Sequence, residues 1–339
     1  MTGGRHTVDD AERAYEGRRV CITGGAGFIG ARLVETLLDL GAHPTIIDDL
    51  SNSSTERIGD IVDRDPERVQ FIHGSILDPD ALAEAVQGTE LVFHLAAVSA
   101  VGSAAEDPRR AFDVNVAGAV RVAETARLAG VERLVYSGSS SAYGAAAPPH
   151  TEQLAPRPLS VYAASKLAAE HVVTAWAESR GLPCVTLRLF NVYGAGQPED
   201  SAESAVIPAF ISRLRAGEAP VIFGNGLQTR DFVHVDDAVR AFLLAGASER
   251  AMDGGAVNIG TGRPTTLLDL VEALKKLLNS EAPLPVHEEP RSGDVPHSHA
   301  DISRARDLLG FEPAISLEDG LARTLGLTGD ASSTGARRS

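Results

Sequence analysis

Apolar residues along this chain follow two rhythms. Short unbroken apolar runs alternate with stretches in which apolar residues return every three or four positions. The unbroken runs are "RRVCITG", "HPTIIDD", "VQFIHGSI", "LVFHLAA", "RLVYSGS" and "CVTLRLF", starting at Arg18, His43, Val69, Leu91, Arg133 and Cys184. Each is expected to be a strand. Between them lie helical patterns such as "FIGARLVETLLDLG" from Phe28. Strands without polar alternation, separated by amphipathic helices, imply a parallel sheet covered on both faces. The expected fold class is α/β, a doubly wound parallel sheet.

After about residue 192 the rhythm loosens into Gly, Pro and short strands, as in "GAGQPEDSAESAVIPAF" and "EAPVIFGNG". A late helix, "TTLLDLVEALKKLL", has leucines at helical spacing behind a Thr cap. A second, smaller α/β domain is expected, with "DFVHVDDAVRAFLLAG" and "AVNIGTG" returning to the first. The expected division is a flexible extension over 1–16, a first domain over 17–191 plus about 232–261, a second over 192–231 and 262–328, and a flexible tail over 329–339.

Composition narrows the function. Of 339 residues, 43% are hydrophobic and 23% charged, the balance of a globular chain with a sizeable core. The net charge of −15 argues against a general nucleic-acid surface, so an anionic ligand must rely on a few local arginines. No apolar stretch reaches the ~18 residues a spanning helix needs, and no membrane partner is expected. The first residues lack the apolar segment of a secretory signal. Cys21 and Cys184 each sit in an apolar run and read as buried, reduced thiols rather than a disulfide or a metal site. A cytoplasmic location is expected, and no metal.

The first strand–helix junction carries a chemical signature. "VCITGGAGFIGARLVE" sets Gly24, Gly27 and Gly30 between strand and helix. The first glycine permits a turn with positive φ, the second a close approach of backbone N–H groups to a pyrophosphate, the third close helix–strand packing. The helix N-terminus adds partial positive charge. Asp48 ends the next strand, about twenty residues on, where a carboxylate accepts from ribose hydroxyls and repels a 2′-phosphate. NAD is therefore expected over NADP. Asp49 can share or replace that role.

Farther on, "VYAASKLAAEH" places Tyr162 and Lys166 four apart, on one face of a helix. A nearby ammonium and a cationic nicotinamide lower a phenol's pKa, making Tyr162 a general base for a substrate hydroxyl.

In these motifs the chain resembles the extended short-chain dehydrogenase/reductases, and within them the nucleotide-sugar 4-epimerases of the UDP-glucose/UDP-N-acetylglucosamine type. The resemblance covers nearly all of residues 18–325. It rests on "TGGAGFIG", "DDLSNSS", "HLAA", "DVNVAG", "SSSAYG", "YAASK", "RLFNVYG", "TRDFVHVDD", "NIGTG" and "RSGDVPHSHAD". It implies a Rossmann-type NAD domain, a UDP-sugar substrate and a homodimer. The dimer would form through long helices around Val101–Ala129 and Val161–Arg180.

The resemblance also implies residue roles. Ser139 would bond the reacting sugar hydroxyl beside Tyr162, and Lys166 would hold the nicotinamide ribose. Phe28 and Ile29 would face the cofactor from the first helix. Asn52 and Ser53 would follow Asp48 and Asp49 at the adenosine end. Leu95, Ala96 and Ala97 would let the backbone approach it, with Asn115, Ser137 and Phe190 alongside. Ser75, with Ile76, stands where relatives often carry an adenine-contacting Asp, so altered cofactor affinity is expected without loss of function. Asn191, Arg230, Arg291 and Asp294 would hold the UDP. Ser99, Ser141 and Ala205 would line the sugar with Ser139, and Ser140, Val206, Val221 and Phe223 would also bind the substrate. Ser298 falls where epimerases restricted to non-acetylated sugars carry a bulky aromatic, so its small side chain leaves room for an N-acetyl group.

The run "SGSSSAYG" separates the reactions open to such a scaffold. Related 4,6-dehydratases carry Asp-Glu immediately after the catalytic Ser or Thr, and decarboxylases a Glu at the second place. Here those places hold Ser140 and Ser141. A hydroxyl cannot serve as an elimination base near neutral pH. Reversible oxidation at C4 of the sugar through a 4-keto intermediate, and return of the hydride to the opposite face, is therefore expected. Other NAD-dependent nucleotide-sugar reactions stay open: a UDP-uronate epimerase, an epimerase at another carbon, or a dehydratase. So does an NAD-sensing protein without catalysis, though such relatives typically lose the Tyr or the Lys.

Overall fold

The computed structural model describes residues 13–197, 205–248, 253–290 and 294–327. In chain order its elements are β1 (Arg19–Thr23), α1 (Phe28–Asp39), β2 (His43–Asp48), α2 (Thr55–Arg64), β3 (Gln70–His73), α3 (Pro79–Val86) and β4 (Leu91–His94). There follow α4 (Val101–Glu106), α5 (Pro108–Phe112), a π-turn (Asp113–Ala117), α6 (Gly118–Leu128), β5 (Arg133–Ser139), a 3₁₀ turn (Ser140–Tyr143), α7 (Val161–Arg180) and β6 (Cys184–Leu189). The rest are β7 (Asn191–Tyr193), α8 (Val206–Arg215), β8 (Val221–Phe223), β9 (Thr229–His234), α9 (Val235–Ala247), β10 (Asp253–Ile259), β11 (Pro264–Thr266), α10 (Leu267–Leu278), β12 (Val286–Glu288), α11 (Ser303–Leu309) and α12 (Leu317–Thr324).

Among the described residues, seven strands form one parallel sheet in the order β3-β2-β1-β4-β5-β6-β10. This is a Rossmann-type fold. The chain winds outward from β1 to β3, then returns to lay β4 against the other side of β1. That reversal opens a crevice at the C-terminal ends of β1 and β4, where such sheets bind ligands. Every residue of β4 and β6 is buried, which explains why their sequences show no polar alternation. One core cluster joins Leu33 and Leu37 of α1 to Phe242 of α9, and the other joins Val122 of α6 to Val173 of α7.

Two small sheets follow. In one, β9 lies between β11 and β7, antiparallel to the first and parallel to the second. In the other, β8 pairs in parallel with β12. Leu270 and Leu274 of α10 pack with Phe210 of α8 beside these strands. Thr266 caps α10 by accepting from Asp269 N at 3.0 Å, in keeping with its sequence pattern. Both cysteines are buried and free.

Two expectations are corrected. The helix expected around Val101–Ala129 is broken. Pro108 has no N–H to continue α4, and Asp107 instead caps α5 by accepting from Arg110 N at 2.9 Å. The π-turn then intervenes before α6. The extension expected to be flexible through residue 16 contributes Tyr15 to the core. Its ring is fully buried 6.5 Å from that of Phe93, and its hydroxyl donates to Leu243 O at 2.7 Å. Gly246 makes room: a Cβ there would meet the Tyr15 hydroxyl and stand 2.8 Å from Phe93 Cζ. The expected flexible tail lies outside the described residues.

Candidate active site

The C-terminal ends of β1, β2, β4, β5 and β6 share one edge of the sheet, because these strands are parallel neighbours. The predicted cofactor and catalytic residues at those ends are therefore brought to one side of the molecule. Gly24 has φ 72°, and a Cβ on it would come within 2.6 Å of Ala96 N, so β1 and β4 pass too closely for any side chain there. A Cβ on Gly30 would press 2.8 Å from Gly25 Cα and closer still to Gly24 O. Gly27 differs. A Cβ on it would meet only Gly24 O, at 3.3 Å, so the surface before α1 stays open. Helix α1 has no side-chain cap, and Phe28 and Ile29 in its first turn are partly exposed. An uncapped, side-chain-free helix start is a fitting seat for a pyrophosphate.

Asp48 closes the turn from the next strand. Its carboxylate accepts from Ala26 N at 3.0 Å, Leu50 N at 2.9 Å and the Ser53 hydroxyl at 3.0 Å. One carboxylate thus fastens the glycine turn to the segment carrying Asn52 and Ser53. Asp49 points elsewhere, accepting from Ser51 N. Ser75 accepts from Leu77 N at 3.2 Å, a local turn beside the buried Ile76. Leu95, Ala96 and Ala97 are half-buried just beyond β4. Asn115 stands in the π-turn with its amide fully engaged. It accepts from Val98 N at 2.8 Å and donates to Val98 O and the Ser165 hydroxyl, so it ties the segment before Ser99 to helix α7.

Strand β5 ends in Ser137, which is buried, and Ser139, which is half-buried. Ser139 Oγ accepts from Ser141 N at 3.2 Å and lies 2.8 Å from Ser141 Oγ, so the chain turns back and stacks its hydroxyls. Ser160 starts α7 by accepting from Ala163 N at 3.1 Å, which sets Tyr162 in the first turn and Lys166 one turn on. Burial raises the Tyr162 phenol above its ordinary pKa, and the Ser139 hydroxyl opposes that rise. The lowering expected from Lys166 is not met in the protein by itself. Lys166 is itself 4% exposed, and burial pulls its ammonium down to about 7 against the opposing pull of Glu170.

Phe190 follows β6, and Asn191 begins β7 directly after it, paired with Phe232 of β9. This junction connects the sheet edge to the strand that carries Arg230. Asp231 fixes that strand from within, accepting from Thr261 N and its hydroxyl, Gly262 N and Ala300 N at 2.6–3.0 Å. Arg230 donates to Asp294 at 2.5 Å, and Ser298 N donates to Thr229 O at 3.1 Å, so Arg230, Asp294 and Ser298 share one locality. Ala205 and Val206 begin α8, and Val221 and Phe223 bound β8. Arg291 lies outside the described residues.

Several residues of this site are not foreseen by the sequence patterns. Glu170, one helical turn beyond Lys166, and Arg188 form a buried ion pair, with Nε–Oε2 and Nη2–Oε1 distances of 2.9 and 2.6 Å. His94 sits 2.7 Å from the Thr23 hydroxyl, and burial lowers its pKa to about 3. A lone Arg inside the otherwise apolar strand pattern "CVTLRLF", and a Glu on the same helical face as Tyr162 and Lys166, are the signals the sequence offers.

Residues 20–260 match the NAD dependent epimerase/dehydratase family. The chain belongs to that family. Similar members span several UDP-sugars. A UDP-glucose 4-epimerase of Mycolicibacterium smegmatis is 38% identical over 310 residues, 91% of this chain and 97% of that protein. The structure of a UDP-N-acetylglucosamine 4-epimerase of Methanobrevibacter ruminantium, in complex with UDP-N-acetylmuramic acid, superposes with a TM-score of 0.85 at 33% identity, covering 92% of this chain and all of that one. A UDP-glucuronic acid 4-epimerase of Bacillus cereus, in complex with UDP-glucuronic acid and NAD, superposes with a TM-score of 0.84 at 31% identity, covering 91% and 98%. As an epimerase/dehydratase family enzyme the chain uses NAD, and the open glycine turn, uncapped helix and terminal carboxylate of β2 fit that dinucleotide.

Proposed function

We propose that this enzyme inverts C4 of a UDP-hexose, interconverting UDP-GlcNAc with UDP-GalNAc, UDP-glucose with UDP-galactose, or both. The observation that carries this reading is the turn after β5. It carries Ser139, Ser140 and Ser141, with the Ser139 hydroxyl beside Tyr162, and offers no carboxylate of its own. The nearest buried carboxylate on α7, Glu170, is held by Arg188. Elimination or decarboxylation therefore lacks its base, and proton transfer at one hydroxyl remains.

In this reading Tyr162 removes the proton of the sugar 4-OH while Ser139 orients that hydroxyl. When bound, NAD supplies the hydride acceptor and donor, and a positive charge beside the phenol. That charge offsets the burial that otherwise raises Tyr162. Lys166 holds the cofactor ribose, and Arg230 with Arg291 and Asp294 anchors the UDP. The anchored diphosphate lets the oxidised sugar turn over without leaving. Residues 17–191 with about 232–261 serve the cofactor, and 192–231 with 262–328 the nucleotide sugar.

The enzyme works as a homodimer in the cytoplasm. Val101 and Phe112 on α4 and α5, 53% and 42% exposed, offer apolar surface to a second copy, and a monomer mass by light scattering would count against that assembly. Incubation with a panel of UDP-sugars, with products identified by NMR, tests the reaction. A 4-keto-6-deoxy sugar, a pentose, or epimerisation at another carbon would each exclude the proposal.

A further inference from the structure

Helix α7 buries a charged side chain that the reaction above does not use. Glu170 lies one turn beyond Lys166 and two beyond Tyr162, 6% exposed. Its partner Arg188 is the single charged residue of β6 and is 4% exposed. Replacing a buried ion pair by apolar residues of similar size is often neutral or stabilising, so stability alone is a poor reason for this one.

The geometry gives the carboxylate little freedom. Arg188 grips both oxygens of Glu170. Its guanidinium carbon stands 4.8 Å over the Tyr143 ring, and the Tyr143 hydroxyl donates to Asn258 at 2.6 Å. Tyr143 closes the 3₁₀ turn that begins at Ser140. The pair thus fastens the serine-bearing turn to the helix bearing Tyr162 and Lys166.

The groups facing Lys166 come from three elements. From β5, the Tyr136 ring lies 4.5 Å below Nζ. From β4, His94 is neutral at working pH, because burial and Lys166 both disfavour its charged form. On α7 itself are Tyr162 and Glu170. Burial works against the ammonium, and Glu170 works for it.

We propose that Glu170, fixed by Arg188, is a positioning residue for Lys166: from one turn along α7 its carboxylate favours the ammonium form of Nζ, so that the charge is available when Tyr162 takes the sugar proton. The inference rests on the reading of Tyr162 and Lys166 as the acting pair. The proton of the sugar hydroxyl goes to the phenolate and returns from it, and Lys166 acts through its charge without passing on a proton.

The chain lends itself to a direct test, because it contains only three lysines, Lys166, Lys275 and Lys276. Lysine labelled with ¹³C at Cε gives a small set of signals, and Lys166→Met assigns the one of interest. The full-length protein as purified is titrated over the neutral and alkaline range. The parent midpoint is expected near the value of about 7 that burial and Glu170 together set. The variant Glu170→Gln/Arg188→Met removes both charges while keeping similar volume. Its Lys166 midpoint should fall by about one pH unit, the size of shift a close charge commonly produces. Its kcat at neutral pH should fall severalfold with KM for the UDP-sugar unchanged. Glu170→Asp, which keeps the charge but withdraws it, should lie between. Should the double variant lose cooperative unfolding, Glu170→Gln alone, whose amide oxygen still accepts from Arg188, also removes the carboxylate charge, and its Lys166 midpoint should fall at least as far because the Arg188 charge is then unopposed. An unchanged Lys166 midpoint in a folded variant overturns the proposal and leaves the pair a packing device. Near-normal turnover in Tyr162→Phe would instead sink the catalytic reading, an outcome the Lys166 midpoint does not depend on.

Discussion

Replacing Lys166 by Met should make the folded chain more stable, and the gain should depend on pH in a defined direction. Lys166 drops from an ordinary 10.5 to about 7 on folding, because burial disfavours its charge. Below pH 7 both the folded and the unfolded chain carry the proton, so the whole penalty applies, about 5 kcal/mol at ~1.4 kcal/mol per pKa unit. Between 7 and 10.5 the unfolded chain holds a proton that the folded chain has given up. The unfolded state then binds more protons, and the parent gains stability as pH rises. Above 10.5 neither state is charged and the penalty is gone. Methionine is similar in length, uncharged, and packs well against the Tyr136 ring that Nζ now covers. The variant should thus exceed the parent by about 3 kcal/mol more at about pH 6 than at about pH 9.5. Urea unfolding of both cofactor-free proteins, followed by circular dichroism, reads this difference of differences. Packing that the lysine stem supplies equally at every pH cancels from it. Equal gains at the two pH values would refute the burial argument, as would a variant less stable than the parent in acid. The expected result makes Lys166 a residue retained at the expense of stability, as functional groups often are.

Tyr162→Phe should keep the fold and cofactor binding but lose turnover by roughly a hundredfold to ten-thousandfold, the usual contribution of a general base; steady-state assay of the purified variant checks this. Ser298→Tyr should suppress interconversion of the N-acetylated sugars and spare the other pair, read as kcat/KM for both pairs in parent and variant. If both pairs change equally, the pocket is shaped from elsewhere. Tyr15→Ala should lower stability by about 3–5 kcal/mol, since it empties a filled core site and removes the hydrogen bond to Leu243 O; a thermal melt indistinguishable from the parent's would show that Tyr15 is dispensable.

Local features are the ones legible in the sequence. The run "RRVCITG" contains β1 because a strand covered on both faces must be apolar throughout, and that demand leaves an unbroken run. Gly24, Gly27 and Gly30 are legible because their steric needs arise within a single turn. The break at Pro108 is also written locally, but the long-helix expectation taken from resemblance overrides it. Tyr15 cannot be found this way. It sits among charged residues, and the glycine that admits it lies in α9, far along the chain. The phenol of Tyr162 is likewise set by tertiary burial, which wins over the nearby lysine that spacing alone brings to mind. Glu170 and Arg188 are each visible as an oddity in an apolar setting, yet only strand and helix placement joins residues 18 apart into one pair.

The place of β10 at the edge of the parallel sheet bears on how the chain is born. Strand β6 pairs with β5 on one side and with β10 on the other, and 63 residues separate Leu189 from Asp253. A ribosome adding 5–20 residues per second needs roughly 3–13 s to cover that stretch. During that interval "CVTLRL" presents a row of unpaired amides and carbonyls bordered by apolar side chains, the kind of edge on which chains associate with one another. The small sheets are begun within the same interval, and the last strand of the large sheet can be laid down only after β9 has been made. A nascent chain halted before Asp253 would therefore display an apolar edge on which chains can associate, and sequences between β6 and β10 set how long that exposure lasts.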